Sequence, residues 1–318
     1  MQRKSVSYAK YGYIFSIPFV ISFLIFSLYP IIYTAFIGFT DLKGLTKTDF
    51  KVLEDPLQNF KLILNNPSFR ESVGNTFLMW IMNFIPQILL ALLLTVWFTS
   101  HRRRIRGQGA FKVIFYMPNI ITAATVAILF SSLFGYPMGP INDLFQSLGI
   151  ADEPTYFLIS KWTARSVVAF IQFWQWYGYT MIVLIAGVLG INPELFEAAE
   201  MDGASSSQTF FRVTLPSLRT IMLYMLVTSM IGGLQMFDIP RLFALGGTGG
   251  PDNATLSSSL FIYIQAFSGT YMYNRAAAAS MIMFVIISVL SGILFYIMRD
   301  KYAAKLKKAE KAARRAAI

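Results

Sequence analysis

Long apolar runs divided by short polar breaks dominate this chain. The runs fall at about residues 11–39, 77–98, 111–134, 167–189, 218–239 and 276–298. Each is near the ~20 residues that a helix needs to cross roughly 30 Å of hydrocarbon. None carries a charge in its middle, where Lys, Arg or Asp costs roughly 2.5–3.5 kcal/mol on insertion scales. The pattern therefore predicts an all-α integral membrane protein with six transmembrane helices. The first run is longer than the roughly 7–15 apolar residues of a secretory signal and continues through Pro18 and Pro30, so it reads as an uncleaved span. Asn83, Pro86 and Gln87 interrupt the second run, and Pro118 and Asn119 the third. The fourth opens on the aromatic cluster Phe170, Phe173, Trp174, Trp176, Tyr177 and Tyr179.

Residues 192–216 are the only long polar interruption in the second half. Asn192-Pro193-Glu194 is a helix start: Asn caps free N–H groups, Pro suits the first helical position, and Glu favours the positive end. The helix should run to about Met201, with Gly203 as its left-handed stop. Ser205 and Gln208 then form a capping box for a second short helix, and Pro216 opens the next apolar run. The segment is thus a helix–turn–helix between spans four and five, with Glu197, Glu200 and Asp202 crowded around one turn.

Composition narrows the function. With 55% hydrophobic and 14% charged residues, the 318-residue chain is no soluble globular domain. It has no cysteine for a disulfide or thiolate site, and a single histidine, His101, removes most His-based catalysis and metal binding. The net charge of +11 points to membrane lipids rather than nucleic acid, because its basic clusters border spans. Residues 1–10, the cluster His101, Arg102, Arg103, Arg104 and Arg106, and the basic tail 299–318 all fall on one side of a six-span layout. Parity and the positive-inside rule agree on the cell membrane with both termini cytoplasmic. The 192–216 loop lies on that side too, although its first half is acidic. An acidic helix beside an anionic leaflet is relieved if another protein covers it.

The spacing of this loop carries a resemblance. Glu197-Ala198-Ala199, three residues, Gly203, nine residues, then Val213-Thr214-Leu215-Pro216 resembles the EAA motif of ABC importer permeases, with only Val213 departing from the usual Ile. The form EAAEMDGA, with Ala204 closing it, is similar to the carbohydrate-uptake branch, the six-span sugar and glycerol-phosphate permeases related to the maltose permease. Gln235-Met236-Phe237-Asp238 followed by Gly249-Gly250-Pro251 and Thr255, and Trp176-Tyr177-Gly178-Tyr179, resemble further segments of those permeases. The resemblance covers about residues 74–298, after a first helix and extracytoplasmic loop at 11–73.

It implies the type I ABC importer permease fold and a role as one of two homologous permease subunits. It also implies an extracytoplasmic solute-binding protein that delivers a carbohydrate. Glu197, Ala198, Ala199, Glu200, Asp202, Gly203, Ala204, Leu215 and Pro216 would then be the surface that docks an ATPase dimer. The chain has no G-x-x-x-x-G-K-[ST] phosphate loop, so ATP and Mg are expected on that partner and no cofactor on this chain. Two alternatives remain open. An ion-coupled secondary transporter should show buried charges or internal repeats, and a membrane-embedded enzyme should show convergent ionisable or nucleophilic groups. The spans offer mainly Asn, Gln, Ser and Tyr. Candidates for the substrate path are Asn83, Gln87, Asn119, Gln172, Gln175, Tyr177 and Gln235, since sugar hydroxyls need hydrogen bonds and sugar C–H faces lie on aromatic rings. Helix–helix hydrogen bonding is the other use of such residues, at a modest ~0.6 kcal/mol each.

Overall fold

The computed structural model describes residues 9–45, 49–99, 106–243, 248–269 and 271–298. Residues 1–8, 101–104 and 299–318, which hold most of the basic groups that orient the chain, lie outside these. The first helices are α1 (Lys10–Ile37), which passes through a π-turn at Leu24–Leu28, then α2 (Gln58–Leu64) and α3 (Pro67–Thr99). Next come α4 (Gln108–Ile120), α5 (Ala123–Leu133), α6 (Pro140–Ser147) and α7 (Lys161–Leu189). After them are α8 (Glu194–Met201) and α9, which starts at Ser206–Thr209 and runs on through Phe210–Thr214 to Leu215–Ser217. The chain then forms α10 (Arg219–Leu234), α11 (Asp238–Phe243), α12 (Ser258–Phe267) and α13 (Tyr273–Met298).

Among the described residues five spans are long and apolar enough to cross a membrane: α1, α3, α7, α10 continued by α11, and α13. The α4–α5 pair completes six. Two of the expected straight spans are corrected. The third run is not one helix but two, bent by 94°. Pro118 has no N–H to donate and weakens the end of α4. Thr122 then takes an extended conformation (ψ 148°), and its side chain accepts from the Thr125 N–H, so it starts α5 afresh. The fifth run breaks at Gln235–Phe237, just after Gly232-Gly233, a pair of poor helix formers. By contrast α3 continues through Pro86, and it begins at Pro67, earlier than the apolar run alone implies.

The chain divides into two compact units, residues 1–70 with 261–284 and residues 71–260 with 285–318. In the first, α1 is apolar on every side, with Phe15, Phe19 and Phe26 at 80%, 74% and 77% exposure. Such a helix has no polar face for water, so its solvent is lipid. The loop after it is held by one buried amide. Asn59 Nδ2 donates to the Gly38 and Thr40 carbonyls, both at 2.9 Å, and Asn59 Oδ1 accepts from Asn274 at 3.2 Å. Each bond contributes about 1 kcal/mol, and stranding this buried amide would cost more.

The second unit is built on α7, whose buried face runs from Ala164 to Val188. One apolar core joins it to α5 and α11 through Val126, Phe130, Val168, Ile171 and Ile239. The other joins it to the end of α3 through Ala91, Leu94, Met181 and Leu184. Gly178 lets the backbone of α4 come against α7, for a Cβ there would strike the Phe115 carbonyl. Gly233 does the same for the Trp80 ring, whose Nε1 donates to Ser229 Oγ at 3.2 Å. The loop before α12 is fixed by Arg165, whose Nη2 donates to Asn75 Oδ1 at 2.6 Å and whose Nε donates to the Ala254 carbonyl at 3.0 Å.

Candidate functional site

The two helix breaks meet at one place. A cavity of about 560 Å³ opens between α3, α7 and α10 and is floored by both breaks. Ala123 comes from the start of α5, and Gln235, Met236, Phe237 and Asp238 from the junction of α10 and α11. Gln175 Nε2 donates to the Ile121 carbonyl at 3.2 Å, so one cavity residue satisfies the backbone that the α4–α5 bend exposes. This is the general condition for irregular backbone at membrane depth: it lines a cavity or is buried in protein.

The walls follow from helical periodicity. On α10 the residues Tyr224, Met225, Thr228, Ser229, Gly232 and Gly233 line the space. Their spacing repeats every 3.6 residues and places them on one face. On α7 the stripe is Gln172, Gln175, Trp176 and Tyr179, and on α3 it is Asn83 and Gln87. Some polar groups are already engaged: Gln87 Nε2 donates to Thr180 Oγ1 at 2.7 Å and Asn83 Nδ2 to the Met79 carbonyl at 3.2 Å. Trp176 and Tyr179 stand edge to face, 5.9 Å between centroids, and Tyr224 lines the same wall. The side chains of Gln172, Gln235 and Asp238 have no hydrogen-bond partner among the described residues.

Five of the seven substrate-path candidates (Asn83, Gln87, Gln172, Gln175 and Gln235) are gathered here. Asn119 and Tyr177 are not. Tyr177 follows Trp176 by one residue, about 100° around α7, and faces α4, packed against Phe115 and Phe173 with centroids 6.3 and 5.8 Å away. Asn119 lies on α4 ahead of the bend, outside the lining. Sequence reasoning missed Trp176, Tyr179, Tyr224, Thr228, Ser229 and Asp238 as wall residues. The Tyr224–Thr228–Gly232 stripe was a legible signal for two of them, Tyr224 and Thr228.

The polar loop forms a second built feature. Asn192 Oδ1 accepts from the Glu194 N–H at 3.1 Å and opens α8. At its other end Gly203 has φ +71°, the Gly203 N–H donates to the Glu200 carbonyl (3.0 Å), and the Ala204 N–H donates to the Ala199 carbonyl (2.9 Å). That pair of bonds is a Schellman motif. It hands directly to a full capping box: the Ser205 N–H donates to Gln208 Oε1 at 2.7 Å, and the Gln208 N–H donates to Ser205 Oγ at 3.2 Å. Two consecutive caps leave no free hinge between α8 and α9. Ala199 is buried, while Glu197, Ala198, Glu200, Asp202 and Gly203 are exposed. Behind α8 a smaller space of about 220 Å³ is lined by Thr99, Phe196, Glu197, Glu200 and Phe210 among others.

A bundle of apolar helices with a polar, aromatic cavity at paired helix breaks is the architecture of a membrane permease. More narrowly, the chain belongs to the family of binding-protein-dependent transport system inner membrane components, whose model matches residues 65–308. It is a multi-pass protein of the cell membrane and a transport subunit. It is 30% identical over 290 residues to the lactose transport system permease protein of Rhizobium radiobacter, covering 91% of this chain and 94% of that one. The multiple sugar-binding transport system permease protein of Streptococcus mutans is also 30% identical, over 92% of this chain and 96% of its own length. Among solved structures it is similar to a chain of a bacterial ABC transporter that imports the acidic polysaccharide alginate. That match has a TM-score of 0.74 and 25% identity, over 90% of this chain and 94% of that one.

Proposed function

We propose that this chain is the translocating subunit of an ATP-driven ABC importer that takes up a carbohydrate handed over by an extracytoplasmic binding protein. The observation that carries the substrate class is the cavity, with free amides on Gln172 and Gln235 beside the Trp176 and Tyr179 rings. Amides pair with sugar hydroxyls in both directions, and aromatic faces accept sugar C–H groups. The named substrates of the relatives agree with it: lactose, multiple sugars and arabinooligosaccharides. A related transporter has been seen in complex with a periplasmic protein carrying an alginate pentasaccharide, which supports a binding protein here too.

In this reading the α8–α9 elbow is the docking surface for an ATPase dimer that holds the ATP and Mg, this chain having no nucleotide site of its own. Glu197, Ala198, Glu200, Asp202 and Gly203 present the contact, Ala199 and Ala204 seat the helix, and Leu215 and Pro216 lead it into α10. A second homologous permease completes the pathway, both termini and the elbow face the cytoplasm, and lipid surrounds the spans. Since two caps join α8 rigidly to α9, a displacement at the ATPase passes towards α10 and the cavity break as a body. Reconstitution tests the assignment. The complete complex should couple ATP hydrolysis to sugar uptake, and this chain alone should hydrolyse no ATP; hydrolysis by the isolated chain would sink the reading.

A further inference from the structure

Resting on the carbohydrate reading above, we infer that Ser229 holds a sugar oxygen as a hydrogen-bond donor, and that Trp80 is the positioning residue that aims it. Ser229 lines the cavity on α10, while Trp80, on α3 one turn ahead of Asn83, is not among the lining residues. The Trp80 ring fills the notch at Gly233, where a Cβ would strike it, and is stacked on Phe84 with centroids 5.7 Å apart. These contacts fix the ring and the direction of Nε1, which donates to Ser229 Oγ at 3.2 Å.

An indole N–H only donates, whereas a serine hydroxyl has one proton and two lone pairs. The bond to Trp80 therefore takes a lone pair of Ser229 and leaves its proton for another acceptor. A helical serine or threonine often spends that proton on the carbonyl one turn back. Thr228 does so, donating to the Tyr224 carbonyl at 2.8 Å. Ser229 makes no such bond among the described residues. Its neighbours have spent donors on the protein: Asn83, Gln87 and Gln175 each give an amide N–H to a carbonyl or hydroxyl of the chain. The Ser229 proton is directed to the solute instead. Ring and bridging oxygens of a sugar have lone pairs and no proton, so only a donor can hold them. Both partners of the Trp80–Ser229 bond belong to one unit, and the aim is the same whatever faces this wall.

The test is ATP-driven uptake by the complete importer in sealed vesicles, with binding protein in excess. The labelled probes are lactose, arabinotriose, diacetylchitobiose and an alginate trisaccharide, after the sugars of the relatives. Ser229→Ala should raise the KM of the imported probe about fivefold, the loss of one hydrogen bond, with kcat within about twofold. Trp80→Phe should do the same, and adding it to Ser229→Ala should raise KM no further. If Trp80→Phe assembles poorly, 3-benzothienylalanine at position 80 keeps both rings and lacks only the N–H. The indole proton resonance lost on either change at position 80 should move upfield in Ser229→Ala. A normal KM without the indole N–H, effects that multiply in the double variant, or an unmoved resonance each overturn the inference and leave the carbohydrate reading standing. Uptake of none of the four probes by the unaltered importer overturns both.

Discussion

Gln235 and Tyr177 separate two uses of a polar residue in a span. Gln235 sits on the broken backbone between α10 and α11 with a free amide facing the cavity. Gln235→Ala should raise the transport KM by about tenfold, the loss of one or two sugar hydrogen bonds, with complex assembly intact in a pull-down. Tyr177 is held among Phe115 and Phe173. Tyr177→Phe keeps that packing and should leave uptake kinetics unchanged. A normal KM in the first variant, or a raised one in the second, would show the cavity assignment to be misplaced. Gly178 makes a packing point at the same scale. A side chain there meets the Phe115 backbone rather than a movable group, so Gly178→Val should cost on the order of 1–3 kcal/mol or more. The measurement is a lower melting temperature and a smaller folded yield in detergent.

At the scale of elements, the elbow is where sequence and structure agree most closely. Asn192, Gly203, Ser205 and Gln208 each act within a few residues of their own position, so their roles can be read without knowing what packs around them. The breaks in spans three and five were harder to see. Thr122 is a cap inside an apolar run with no polar flank, and its effect depends on Pro118 having weakened the preceding turn. Gln235 stood out as a polar residue in an apolar run, but the packing of Trp80 against Gly233 just before the break is a contact across the bundle that no local pattern shows. Gly203→Val forces a side chain into φ +71°, a strain of roughly 1 kcal/mol or more, and should turn α9 away from its course. Glu197→Lys leaves that geometry alone and reverses a charge on the exposed face. Both variants should insert normally, lose transport, and either release the ATPase or let it hydrolyse ATP without substrate. Normal uptake by both at normal expression would falsify the docking role of the elbow.

At the scale of the molecule, the run lengths and their charge-free middles made the count of spans legible. Which residues share a wall was less so, because that depends on how α3, α7 and α10 face one another. Asn119 and Tyr177 show the difference: both are polar residues within apolar runs, and neither lines the cavity. The orientation of the whole chain is open to a direct test. Reporters after Ile318 and within the 192–216 loop should read as cytoplasmic, and one beside Asp252 as external. A cytoplasmic reading at Asp252 would mean that one of the six spans, the bent α4–α5 pair first of all, does not cross.

Among the described residues no basic side chain lines the cavity wall, and that has an electrical consequence. A neutral sugar moving past these walls carries no charge through the membrane field, whereas each elementary charge crossing would do about 2.3 kcal/mol of work per 100 mV. Import of a neutral sugar through this chain should therefore be electrically silent. In sealed vesicles supplied with ATP, clamping the voltage at either sign should leave the initial uptake rate unchanged, and nucleotide alone should set the gradient that the transporter can build.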